Sequence, residues 1–97
     1  MGTSYQFRCP ECRYEGEVSG GTDAGMRCTT VTIHCLTCQE LYDAVNAVMG
    51  DETPVFEPQK VRCPRNARHR WVEWGAPGPC PRCNSVLQRG PETAFWD

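Results

Sequence analysis

The sequence predicts a small, mainly β protein stabilised by metal, and three observations carry that expectation. Only 39% of the 97 residues are hydrophobic, and 9 Gly and 8 Pro interrupt them, so a large apolar core is out of reach. Eight cysteines offer a substitute, six of them in the Cys-x-x-Cys pairs Cys9/Cys12, Cys35/Cys38 and Cys80/Cys83. The segments leading into these pairs alternate polar with apolar residues or are β-branched, as strands do.

Taken in order, Tyr5-Gln6-Phe7-Arg8 alternates and runs into the first pair, and Tyr14 to Val18 forms the next strand. Ser19-Gly20-Gly21-Thr22-Asp23-Ala24-Gly25 reads as an exposed loop. Without the Lys-[ST] of a P-loop, it makes a poor phosphate cradle. Thr29 to His34 is the strongest β segment and delivers Cys35 and Cys38. Leu41 to Met49 fits either a strand or a helix, because Leu41, Val45, Val48 and Met49 share a helical face and Thr37 with Glu40 matches a capping box. A strand is favoured, since metal ligation by Cys38 would occupy the helix's first turn. Gly50 to Pro54 and Pro58 mark a linker. Lys60-Val61-Arg62 then repeats the approach to a metal turn, Arg70 to Trp74 alternates as a strand, and Ser85 to Gln88 forms a return strand. The expected organisation is a first unit over 1–50, a linker over 51–59, a second unit over 60–90 and a tail over 91–97, with the two units sharing one plan.

Two thiolates on a tight turn face one metal ion, and two such pairs close a tetrahedron. The first site is expected to join Cys9, Cys12, Cys35 and Cys38, whose pairs are separated by 22 residues, enough for a hairpin. The second joins Cys63, His69, Cys80 and Cys83. Cys63 has no cysteine three places on, where Asn66 stands, and Asn is a poor zinc ligand. His69 swung in on a wider loop completes a Cys₃His set. The alternative is a surface histidine between Arg68 and Arg70, with Cys28 or an outside ligand completing the site. Cys28 otherwise reads as a partly buried free thiol, and His34 points away from Cys35 across the strand. Four thiolates suit zinc or iron, whereas Cys₃His suits zinc, so two Zn²⁺ per chain are expected.

The motifs CPEC, CLTC and CPRC and the Cys63/His69 half-turn resemble the rubredoxin-type knuckles of zinc ribbons. With the SGGTDAGM loop, the ELYDAV strand and the tryptophan before the last pair, the whole chain looks like the small bacterial two-ribbon proteins. That resemblance implies two tandem zinc ribbons and specifies fold better than role. The chain departs from the usual pattern after its knuckles, where Arg13, Gln39 and Asn84 replace the glycine that suits a left-handed backbone.

Charge is unevenly spread. The formal net charge is −2, yet Lys60, Arg62, Arg65, Arg68, Arg70, Arg82 and Arg89 face a single acid, Glu73, between positions 60 and 89. Nucleic-acid binding through Arg62, Arg65, Arg68, Arg70 and Arg82, with Trp71 and Trp74 stacking on bases, is therefore one reading. Overall acidity favours the other, a protein-interaction or structural accessory module. No βαβ pattern surrounds a cysteine pair, and both sites close with four protein ligands, so an enzyme is not expected. The first residues contain no apolar run, no stretch is long enough for a membrane span, and thiol ligands suit a reducing cytoplasm.

Overall fold

The computed structural model describes residues 2–50 and 55–96, which form strands and turns without a helix. The strands are β1 (Gly2–Arg8), β2 (Glu15–Val18), β3 (Asp23–Ala24), β4 (Cys28–Cys35), β5 (Glu40–Met49), β6 (Phe56–Pro58), β7 (Trp71–Glu73) and β8 (Gln88–Trp96). One sheet has the order β2-β1-β8. The other runs β3-β4-β5-β6, with β7 added on β4. The mainly β expectation holds, and the ambiguous Leu41–Met49 segment is strand β5. Its register against β4 opposes Ile33 to Tyr42 and Val31 to Ala44, so β-branched and aromatic side chains meet across the ladder.

Both sheets follow one local plan. In each, an antiparallel hairpin turns through a Cys-x-x-Cys pair, and a later metal-ligand turn leads to a third strand that pairs with the hairpin's first strand. Cys9–Cys12 lies at the β1–β2 turn and Cys35–Cys38 at the β4–β5 turn. The third strand of the β4–β5 unit is β7, with Cys35 opposite Trp71. That of the β1–β2 unit is β8, with Arg8 opposite Gln88 and Gly2 opposite Trp96. The units are thus nested in sequence: the first opens and closes the chain, and the second is inserted within it.

Nesting corrects several expectations. Residues 88–96 belong to a strand, so the expected tail over 91–97 is an integral part of the first sheet as far as Trp96. Close packing fixes its end, since the Trp96 indole lies so near Gly2 that an added Cβ would sit 2.0 Å from the ring. Of the expected linker, 51–54 falls outside the described residues, and Phe56–Pro58 pairs with Ala47–Met49. Lys60–Arg62 is irregular rather than a strand, and Ser85–Gln88 contributes only a Pro79–Val86 bridge before β8 starts.

Two small cores result. Phe7, Tyr14, Val18, Leu41, Trp74 and Leu87 pack with Cys9 and Cys80, while Val31, Ile33 and Ala44 pack with Tyr42, Val61 and Trp71. In the first, the rings of Phe7 and Trp74 meet edge to face at 5.2 Å, and Trp74 Nε1 donates to Pro79 O at 2.8 Å. The glycine loop joins the two sheets rather than standing free in solvent. Gly20 N and Gly21 N each donate to Thr32 Oγ1 at 3.0 Å, and that hydroxyl donates to Asp43 Oδ1 at 2.7 Å. Asp43 also accepts from Ser19 N and Ser19 Oγ. Gly20 has φ of 89° and lies against Phe7 and Ala76, which requires glycine twice over: for its backbone and for its space.

Candidate metal centres

Ligand side chains converge in two groups whose donor atoms all lie within 4.8 Å of one another: Cys9, Cys12, Cys80 and Cys83, and Cys35, Cys38, Cys63 and His69. All eight expected residues fall in these groups, but their partition differs from the expected one. Cys9 and Cys12 do not meet Cys35 and Cys38, and Cys63 and His69 do not meet Cys80 and Cys83. The reason is strand pairing. Each hairpin takes its third strand from the segment after its partner turn, so β8 on β1 carries Cys80 and Cys83 to Cys9, and β7 on β4 carries Cys63 and His69 to Cys35.

Three of the turns share a geometry dictated by the Cys-x-x-Cys sequence. Arg13 N donates to Cys9 O at 3.1 Å, Gln39 N to Cys35 O at 2.9 Å and Asn84 N to Cys80 O at 3.0 Å, each bond linking residues four apart in sequence. Backbone N–H groups also point at the first sulfur: Cys12 N at Cys9 Sγ (3.5 Å), Cys38 N at Cys35 Sγ (3.3 Å) and Arg82 N at Cys80 Sγ (3.4 Å). The chain leaves each turn through a left-handed residue, with φ of 67° at Arg13, 56° at Gln39 and 68° at Asn84. These are the three positions where glycine is missing, so the turns form at a local cost rather than relaxing into another shape.

The fourth turn is built differently. Cys63 Sγ has the N–H groups of Arg65 and Asn66 near it, as in the other turns. Asn66, itself exposed, caps a further turn instead: its Oδ1 accepts from Arg68 N at 2.9 Å and its carbonyl from His69 N at 3.1 Å. That second small turn brings His69 Nδ1 to 3.6 Å from Cys35 Sγ and 3.4 Å from Cys38 Sγ. Asn66 thus shapes the loop that lets a histidine six positions on replace a cysteine three positions on.

The donor spacing fits a tetrahedral ion. On a centre with bonds of about 2.3 Å to sulfur and about 2.0 Å to nitrogen, neighbouring sulfurs stand about 3.8 Å apart and sulfur to nitrogen about 3.6 Å. The sulfur separations are 3.3 Å for Cys9–Cys83, 3.5 Å for Cys12–Cys80 and 3.8 Å for Cys38–Cys63. Each is far longer than the ~2.05 Å of a disulfide. Backbone donors already favour some of the thiolates. The Ser85 N–H, helped by Cys9, holds Cys83 down at about 6. Burial raises Cys63, but the Arg65 and Asn66 N–H groups and His69 outweigh it and bring it to about 6. The Tyr14 N–H lowers Cys12, yet desolvation and the sulfurs of Cys80, Cys83 and Cys9 together push it up to about 12. Without a cation the Cys12 thiol, crowded by three other sulfurs, retains its proton, so metal uptake must expel it.

Two residues outside the ligand sets, Tyr14 and Arg82, join the two groups. Leu41 N donates to Tyr14 Oη at 3.0 Å, and the Arg82 guanidinium lies over the Tyr14 ring at 5.1 Å. Arg82 also reaches Gln39 O and the Glu40 carboxylate, both at 3.4 Å. The Arg82 and Glu40 side chains are 50% and 34% exposed, so this ion pair positions the turns more than it stabilises them. Tyr14 and Arg82 become neighbours because the Cys9–Cys12 and Cys80–Cys83 turns meet in one group, and neither position carries a sequence signal for this. Cys28 stays outside both groups, and His34 lies on β4 between Leu41 and Val72. Trp74 is buried and presents no face for stacking.

Comparison with family models, with curated proteins and with solved structures returns no match. The functional reading therefore rests on the geometry of the chain itself.

Proposed function

We propose that the chain is a zinc-binding double-ribbon protein, with one ribbon inserted in the other, serving as a protein-interaction or structural accessory module in a reducing, cytoplasmic setting. The observation that carries this reading is the convergence of four protein donors in each group, all within 4.8 Å of one another. Such a set leaves no coordination position for water or substrate, which supports a structural ion over a catalytic one. The imidazole in the second group favours zinc over iron there, and the same ion is assigned to the Cys₄ group.

Nucleic-acid binding is the second reading, and it is supported by Arg62, Arg65, Arg68 and Arg70, all exposed and without a carboxylate at ion-pair distance among the described residues. It is weakened by the burial of Trp74 and by the engagement of Arg82 with Glu40. Native mass spectrometry of the purified chain is expected to find two Zn²⁺ per chain, and a strong chelator is expected to abolish the β-sheet circular dichroism of both units. A chain that kept its native spectrum after complete metal removal would refute the structural-metal reading.

A further inference from the structure

We propose that the groove beside β5 binds an extended, acidic peptide segment of a partner protein as an added strand. This rests on the protein-interaction reading above and gives that interaction a place and a chemistry. The groove has a volume of about 820 Å³, and its lining includes Asp43, Ala44, Val45, Val48, Lys60 and Arg62, together with Pro64 and Ala67. Consecutive strand residues point to opposite faces, so a groove lined by Asp43, Ala44 and Val45 together runs along the strand's edge rather than over one face.

That edge is open. On this side β6 pairs only with Ala47–Met49, and Gln59 N reaches Asn46 O at 2.8 Å. Further along, Leu41 N is taken by Tyr14 Oη. Between them Asp43–Val45 has no strand partner on that side among the described residues, and an extended chain continuing the line of β6 would meet its backbone groups.

The walls specify the side chains of such a segment. Val45 is 41% exposed, and with Val48, Pro64 and Ala67 it offers shallow apolar contacts suited to small aliphatic residues. The lining also carries Lys60 and Arg62, both exposed and without a carboxylate at ion-pair distance among the described residues. The one acid in the lining among the described residues, Asp43, is committed to Ser19 and Thr32. Charge complementarity therefore asks for carboxylates on the bound segment. No aromatic ring lines the groove, so it lacks the stacking surface that single-stranded nucleic acid uses.

The test titrates a fluorescein-labelled, end-capped hexapeptide of alternating glutamate and valine into the metal-loaded full chain, read by fluorescence anisotropy. Saturable binding is expected, weakened about tenfold or more by Lys60→Glu or Arg62→Glu. Arg89→Glu, the same charge change on the other sheet, is expected to alter it by less than about twofold. Backbone amide resonances of residues 43–45 are expected to shift on titration, which a purely electrostatic surface contact would not produce. Zinc content of each variant, measured by native mass spectrometry, confirms that the fold is retained. Binding that ignores both groove variants, or equal binding of a lysine–valine peptide, would overturn the proposal. If neither this peptide nor a decathymidine binds, the groove proposal falls and the metal-built module stands. If decathymidine alone binds, the protein-interaction reading falls with it.

Discussion

At the scale of single residues, the turns around the metal ligands show where the sequence works against its own fold. Arg13, Gln39 and Asn84 occupy left-handed backbone with φ of 67°, 56° and 68°. A side chain pays roughly 1–2 kcal/mol for that conformation, glycine nothing, and asparagine less than most. Arg13→Gly is therefore expected to raise stability by about 1 kcal/mol, read as a higher urea midpoint of the zinc-loaded chain, whereas Asn84→Gly should change it by less than half as much. Arg13 suits this test because its side chain is exposed, so the substitution acts mainly through the backbone. The spacing of the cysteines made all three positions visible in advance. What they do there needed the dihedral angles.

At the scale of elements, the hinge between the sheets depends on one buried hydroxyl. Thr32 is fully buried, accepts from two glycine amides and donates to Asp43, and it thereby ties the 19–21 loop to β4 and β5. Thr32→Val keeps the shape and the β propensity but leaves two amides and a carboxylate short of a partner. A loss of about 1–3 kcal/mol in chemical denaturation is expected, with zinc content unchanged. The β-branched run around Thr32 made β4 legible, because alternation and branching are local properties. The role of the glycine loop was not legible: its composition signals a turn, and only packing shows that the turn is pinned on one side. The final strand was hidden for a similar reason. Gly90 and Pro91 read as a tail, and pairing with β1 overrides that local signal.

At the scale of the whole molecule, nesting makes the two metal sites unequal. In the inner site 24 residues separate Cys38 from Cys63, whereas in the outer site 67 separate Cys12 from Cys80. Closing the outer loop costs more entropy, and the inner unit, once formed, shortens the path and supplies the Gln39–Glu40 contacts for Arg82. Cys80→Ser is expected to lose the outer ion while inner-site affinity stays within about twofold. Cys35→Ser is expected to lose the inner ion and also weaken the outer site about fivefold, since a halved loop plus a surface contact amount to about 1 kcal/mol. Competition with a chromophoric chelator measures both. Equal, independent losses in the two variants would show that the units fold separately.

The sequence by itself determined the mainly β class, most of the strands and the eight donor residues, because these follow from local periodicity, side-chain branching and the softness of sulfur. It did not determine which pairs share an ion. The three Cys-x-x-Cys half-sites are chemically alike, so any of them could join Cys63 and His69, and nearest neighbours along the chain are as plausible as nested ones when only spacing is considered. That choice was left to tertiary structure, through the pairing of β8 with β1 and β7 with β4, since hydrogen-bonded ladders act over any sequence distance and bring the ligands with them.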